Sequence, residues 1–355
     1  MPDPTLPSCS RECRDSTSAL EFVSCSGIAD CGKCLNDSHF LGGAFFGAPL
    51  AAATKALPVV HVPVPVLAGD PSEGECWLAA GPAEAGDDPA TGLRFRHDGT
   101  FVFGVVRLRE ADFAGGDGSP LQQATAAAYG AVFATMDRLG YPHLVRCWNY
   151  LADINGELDG LERYRHFNIG RQDAFLAAAR DTVGSVPAAC ALGTRDSDLL
   201  ICFLAARSAA LPIENPRQVS AFRYPPDYGP RSPTFARAAL LPLPGRPLLL
   251  VSGTASIVGH RTVHSGDLCA QLRESMANIA AVLAEATRQA AGAEFRLGGL
   301  DYRIYLRHAD DLASAKQAFG AHFAGMPKPH AVFMQADVCR HDLLVEIEAS
   351  GYAGP

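Results

Sequence analysis

Near the C-terminus apolar and acidic residues alternate: Val345 and Ile347 against Glu346 and Glu348. That period of two predicts a strand with the aliphatics on one face and both carboxylates on the other. The whole stretch 337–348 reads as one strand, carrying an acid where apolar residues dominate. An acid on a half-buried strand is costly unless it is paired, solvated or used. Burial also raises a carboxyl pKa toward neutrality, which makes a proton donor. The other reading of the same pattern is a solvent-facing edge strand with two ordinary glutamates.

Helical spacing appears upstream, in two sets. In the first, Gly118-Ser119-Pro120 caps a helix whose apolar face runs through Leu121, Ala128, Tyr129, Val132, Phe133 and Met136. A strand over 143–150, a helix over 171–181 and a strand over 197–203 follow. In the second, Gly266-Asp267 caps a helix with apolar residues at Leu268, Leu272, Met276, Ile279 and Leu283. A strand over 302–307, a helix over 311–323 and a strand over 341–347 follow. The order is the same in both halves, and both end in Asp-Leu-Leu, at Asp198 and at Asp342. Aligning those two motifs sets Cys202 opposite Glu346. The pattern predicts an α+β protein of two similar sheet-plus-helix units packed together, over residues 56–210 and 211–355. Only the second unit carries the acid, so one active site per chain is expected, near the C-terminus.

Composition narrows the function. The chain has 355 residues, 48% hydrophobic and 19% charged, with a formal net charge of −8. That marks a globular chain and leaves no basic surplus for general nucleic-acid binding. The most apolar stretch, 238–259, is broken by Pro242, Pro244 and Pro247, so no membrane span is expected. The start, Met1-Pro2-Asp3-Pro4, lacks the pattern of a signal peptide, and a cytoplasmic location is expected. Cys147, Cys190, Cys202 and Cys269 stand alone in apolar segments and read as reduced core residues. Residues 1–55 differ. They hold Cys9, Cys13, Cys25, Cys31 and Cys34, and are expected to be a poorly ordered extension, with the globular part starting near Leu57. Cys31-Gly32-Lys33-Cys34 has the spacing of a zinc knuckle or redox pair, but no second knuckle and no histidine pair at finger spacing follows. No metal is expected.

The centre of the chain, 214–237, carries five prolines and one glycine, which forbid a regular element and fix a rigid loop. Four arginines and two tyrosines, Tyr224 and Tyr228, sit on it. Guanidinium binds carboxylate bidentately and phenol adds a directional donor, so the loop suits a small dicarboxylate. A connector with exposed arginines is the plainer reading. Beyond it, Gly253 and Ala255 let backbone approach a ligand closely. His260 and His264 lack the helix that a metal pair at that spacing needs. With no nucleophile elbow, Walker loop or dinucleotide fingerprint present, acid–base chemistry without a cofactor is expected.

Four segments together resemble the chorismatase family: 214–218, 224–233, 253–260 and 342–348. The resemblance covers roughly residues 57–350. The closing Val345-Glu346-Ile347-Glu348-Ala349 also resembles the YjgF/Rid imine deaminases, whose fold the chorismatases share. Where the Rid family places a carboxylate-binding arginine, this chain reads Lys328-Pro329-His330-Ala331. The resemblance implies that chorismate is the substrate and pyruvate a product. It implies that Glu346 protonates the enol-ether methylene. Arg231, with Tyr224 and Tyr228, would hold a substrate carboxylate, and Arg307 is a second candidate by fold analogy. Hydroxybenzoate-forming members resemble this chain in a cysteine seven residues before the glutamate, here Cys339, and a small residue like Gly253 facing the ring. That implies a 3-hydroxybenzoate synthase, with Cys339 as proton shuttle, of a type that can also form 4-hydroxybenzoate. A Rid-type imine hydrolase and a non-catalytic metabolite-binding protein are the competing readings. Monomer and trimer both stay open.

Overall fold

Two seven-stranded sheets face each other, each with its helices on the outer side. The computed structural model describes residues 19–47, 56–195, 198–290 and 292–354. The N-terminal part runs β1 (Leu20–Ser26), α1 (Ile28–Leu35), β2 (Phe40–Gly47), β3 (Val59–Val62), β4 (Val66–Ala68) and β5 (Ser72–Ala79). The first unit follows with β6 (Glu84–Asp88), β7 (Leu93–His97), β8 (Phe101–Arg109), α2 (Pro120–Leu139), β9 (His143–Ala152), the short β10 (Glu157–Leu158) and β11 (Leu161–Glu162), α3 (Arg163–Ala177), β12 (Ala188–Thr194) and β13 (Asp198–Ala206). The second unit comprises β14 (Leu211–Ile213), β15 (Ala238–Leu241), β16 (Leu248–Thr254), β17 (Ile257–Val258), β18 (Arg261–Thr262), α4 (Leu268–Gln289), β19 (Asp301–Leu306), α5 (Leu312–Ala321), β20 (Ala331–Gln335), β21 (Asp337–Val338) and β22 (Val345–Tyr352).

The duplication is visible in the sheet order. The first sheet contains β12-β9-β13-β8 and the second β20-β19-β22-β16, with the first pair of each parallel and the others antiparallel. The units also exchange edges: β21 extends the first sheet beside β12, and β4 extends the second beside β20. Inward-facing side chains of both sheets, among them Trp148, Tyr150, Cys202, Leu250, Tyr305 and Met334, form a shared core. Outward faces bury α2 and α3 on one side and α4 and α5 on the other. The caps form where the sequence places them. Ser119 Oγ accepts from the Gln122 amide at 3.2 Å, and Asp267 accepts from the Ala270 amide at 2.9 Å. No helix among the described residues is long and apolar enough to cross a membrane.

Three expectations are corrected. Residues 20–47 are not an unstructured extension: β1 and β2 join β3 and β5 in a four-stranded sheet of order β1-β5-β2-β3. Leu20, Phe46 and Trp77 of this sheet enter the shared core, which explains why it is built. Cys9 and Cys13 lie outside the described residues. The third helix spans Arg163–Ala177, earlier than 171–181, because its buried face includes the polar His166, Asn168 and Arg171, which conceal its periodicity. The last strand starts at Val345, since 339–344 turn away from the sheet. At the end of the first unit, Ser197 lies outside the described residues and the strand is described from Asp198.

Candidate active site

Alternation along β22 puts Glu346 and Glu348 on the inward face, between the two sheets, while Val345 and Ile347 pack outward toward α4 and α5. The two acids have different surroundings. Glu348 lies directly opposite Arg303 on β19. It is 3.0 Å from the guanidinium of Arg303 and 3.0 Å from that of Arg146, which reaches across from β9 of the other sheet. Arg303 in turn pairs with Glu75 on β5 at 3.2 Å. Burial opposes a charge on Glu348, but the two arginines outweigh it and hold its carboxyl below the ordinary value.

Glu346 lies opposite Tyr305 and is 3% exposed. Burial, and then the negative charge of Glu348, push its carboxyl up to about 8; Arg146 only partly counters them. Glu346 is therefore a neutral acid at pH 7 beside a carboxylate that stays ionised, the division of roles that acid catalysis by paired carboxylates requires.

The strand beside Glu346 is broken to make room. Val251 pairs with Ala349 but Thr254 with Ile347, so β16 bulges at Ser252–Gly253. A Cβ on Gly253 would lie 2.0 Å from Glu346 Oε1 and 3.2 Å from the Cys190 Cβ. Only glycine leaves the carboxyl its place. Ser252 fixes the bulge against the first unit, accepting from the Ala189 amide at 2.9 Å and donating to the Ala236 carbonyl at 2.6 Å.

Glu346 opens into a cavity of about 260 Å³. The proline-rich loop forms one wall. The Tyr224 and Tyr228 rings pack tilted at 42° with centroids 5.2 Å apart, and the Tyr228 hydroxyl lies 3.2 Å from His260 Nδ1. The Arg237 guanidinium donates to the Tyr224 hydroxyl at 2.9 Å. The turn 339–342 also lines the cavity and brings Cys339 into it. Burial, then the proximity of Glu346, push the Cys339 thiol up to about 12, so it holds its proton at neutral pH. Tyr164, on α3, completes this side, its hydroxyl also pushed up by burial.

Of the residues singled out in the sequence, Glu346, Cys339, Tyr224, Tyr228 and Gly253 line this one cavity. Arg231 and Arg307 do not. The turn at Gly229–Pro230 sends Arg231 outward, where its side chain is 45% exposed and 3.6 Å from Asp173. Arg307 is a clamp: its guanidinium donates to the carbonyls of Val338, Arg340 and Leu343 at 2.8–3.1 Å and to Asp337 at 2.7 Å. It shapes the turn that carries Cys339 and stands outside the cavity.

The sequence reading missed Arg340. Its guanidinium lies over the Tyr228 ring at 4.3 Å and the Tyr224 ring at 5.3 Å, steadied by the His260 carbonyl at 3.0 Å and Thr262 Oγ1 at 3.3 Å. It places a cation in the wall of the cavity, where an anionic ligand would meet it. Its position next to Cys339 in the sequence was the available signal.

The chain and its fold have relatives. A family model described as chorismatase FkbO/Hyg5-like, N-terminal, matches residues 75–205. A chorismatase of Streptomyces rapamycinicus is 37% identical over 286 residues, covering 79% of this chain and 82% of that protein. A 3-hydroxybenzoate synthase of Streptomyces hygroscopicus is 37% identical over 285 residues, covering 77% of this chain and 80% of that one. A crystal structure of a chorismatase superposes with a TM-score of 0.82 at 33% identity, covering 94% of this chain and 98% of that chain.

Proposed function

Because the chain belongs to the chorismatase family, we propose that it converts chorismate to 3-hydroxybenzoate and pyruvate, with Glu346 as the general acid. The observation that carries this reading is a glutamic acid kept neutral to about pH 8, facing a cavity with tyrosine and arginine in its walls. Chorismate is a dianion with an enol-ether methylene. Glu346 delivers its proton to that methylene, and the positive charge develops on the ether-bearing carbon. The carboxylate left on Glu346, with the fixed charge of Glu348 behind it, stabilises that cation. Capture of the cation within the substrate and cleavage of the ether release pyruvate. The two products together contain the atoms of chorismate, so the reaction needs no oxidant or reductant.

Arg340, with Tyr224, Tyr228 and Arg237 around it, is positioned to receive a substrate carboxylate, the role the family resemblance implied for Arg231. Cys339, a protonated thiol in the same cavity as Glu346, is the group we assign to proton movement at the ring during aromatisation. A cytoplasmic setting suits this reading, since no disulfide joins the described cysteines.

The test is incubation of the purified protein with chorismate, following pyruvate with a coupled dehydrogenase and separating the aromatic products by chromatography. Pyruvate with 3-hydroxybenzoate is the expected result, and 4-hydroxybenzoate as a second product would be read from the same trace. Pyruvate with only the dihydroxycyclohexadiene carboxylate would remove Cys339 from the mechanism. Absence of pyruvate would overturn the reading.

A further inference from the structure

The N-terminal sheet holds a cluster of sulfurs that the proposed reaction does not use. Cys31 and Cys34 lie one turn apart on α1 and so share a face. Cys25 lies on β1, and Cys76 on the adjoining β5 pairs with Val23, which puts both sulfurs on one face of the sheet. Three elements thus converge on one point. The Sγ atoms of Cys25, Cys34 and Cys76 all lie within 4.8 Å of one another. Cys25 and Cys76 are 3.8 Å apart, and Cys31 approaches Cys25 at 3.3 Å. All four are buried, each at most 2% exposed.

These spacings suit a metal better than a plain core. Four sulfurs around a tetrahedral zinc, each bonded at about 2.3 Å, stand about 3.8 Å apart. The Cys25–Cys76 separation has that value, whereas Cys31, 3.3 Å from Cys25, stands outside the trio that lies within 4.8 Å and must turn toward it to complete the set. The packing beside the sulfurs is close: a Cβ on Gly74 would meet the Phe45 ring at 2.4 Å and Cys25 Sγ at 3.2 Å. An apolar core needs only aliphatic groups, as Leu78 and Val59 provide around it.

We propose that Cys25, Cys31, Cys34 and Cys76 form a closed tetrathiolate zinc site that staples β1, α1 and β5. The sequence alone pointed away from a metal because the C-x-x-C pair has no second pair nearby in the chain. The fold supplies the other two ligands separately, one from residue 25 and one from residue 76. Four protein ligands leave no open position, so the metal is structural and takes no part in catalysis. Its consequence for the chemistry is positional. Glu75 precedes Cys76 on β5 and projects from the opposite face, where it holds Arg303 and through it Glu348.

The full-length protein, purified under reducing conditions without chelator from zinc-supplemented cells, is expected to carry about one zinc per chain by elemental mass spectrometry. Replacement by Co²⁺ should give the intense visible bands of a tetrahedral ion and a near-ultraviolet thiolate band. Cys34→Ser and Cys76→Ser should each lose most of the metal and lower Tm, whereas Cys269→Ser should change neither. Should the variants fail to fold, the cobalt spectrum of the unaltered chain decides alone. Reduced protein that takes up neither ion overturns the proposal. So does an intact mass two hydrogens short without metal, which would mark a disulfide, or zinc that survives both cluster substitutions.

Discussion

The two units share one plan but use their inner strands differently. In β13 the inward positions Leu200, Cys202 and Leu204 are all apolar and join the shared core. In β22 the inward positions carry Glu346 and Glu348. Cys202 pairs with Trp148 and Glu346 with Tyr305, so the acid occupies the place of a thiol opposite an aromatic ring. The neighbouring strands differ as well. β8 pairs with β13 without a break from Asp198 to Ala206, whereas β16 bulges beside Glu346. The first unit is not a spent copy, because its Arg146 reaches across to Glu348. The first unit supplies scaffold, the counter-charge of Arg146 and the Tyr164 side of the cavity, and the second carries the candidate acid. A single acid thus gains burial from both sheets and a fixed ionised neighbour, which one unit alone could not provide.

Removing the acid should erase the difference between the units and give the largest effect. Glu346→Gln is expected to lower kcat for pyruvate release by about 10³-fold or more, with the circular dichroism spectrum unchanged. In the unaltered enzyme kcat/KM should fall as pH rises through about 8, the value at which Glu346 loses its proton. Full turnover in the variant would remove Glu346 from the reaction. Closing the bulge comes next. Gly253→Ala puts a methyl where the Glu346 oxygen lies, so the carboxyl must shift. A misplacement of about 1 Å predicts a loss of about 10²-fold in kcat, with a smaller change in KM. An unchanged kcat would mean that the bulge serves packing only.

How much of this the sequence disclosed depends on whether each signal is local. Alternation in 345–348 gave the strand and its acids, capping residues gave α2 and α4, and proline density gave the loop that carries Tyr224 and Tyr228. These are properties of neighbours in the chain. Arg340 reaches the cavity and Arg231 does not, because their reach depends on turns that periodicity does not encode. Reading 337–348 as one strand would aim residue 340 along the sheet, whereas the turn held by Arg307 brings the Arg340 guanidinium over the tyrosines. The ordering of residues 20–47 was hidden for a related reason: Leu20 and Phe46 are buried only because the other two sheets offer them a core.

Smaller effects should follow from the cavity wall. Arg340→Gln removes the cation over the tyrosines, and loss of a charge-assisted contact predicts a KM for chorismate raised by about 10- to 100-fold. Arg231→Gln, in the exposed position, should leave KM unchanged. If Arg231→Gln carried the loss instead, the assignment taken from the cavity would be wrong. Cys339→Ala is expected to leave pyruvate release nearly intact and to shift product from 3-hydroxybenzoate toward the dihydrodiol. An unchanged product ratio would reduce Cys339 to packing.

The last comparison concerns stability, and it separates function from folding. Below its ordinary value of 4.5 Glu346 is protonated whether the chain is folded or not, and it makes no difference to stability. Between 4.5 and about 8 the unfolded chain ionises freely while the folded one must keep its proton, so wild-type stability declines with rising pH across that window. Above about 8 the decline stops, because both states are then ionised. Glutamine at the same place carries no such burden. The Tm of Glu346→Gln minus that of wild type should therefore be near zero at pH 4, grow through neutrality and level off above pH 8. The opposite transplant, Cys202→Glu, sets an acid into the shared core opposite Trp148, and should cost about 3 kcal/mol without adding turnover. A flat Tm difference for Glu346→Gln would show that the acid is solvated after all, and the contrast between the two strands would then lie in their neighbours alone.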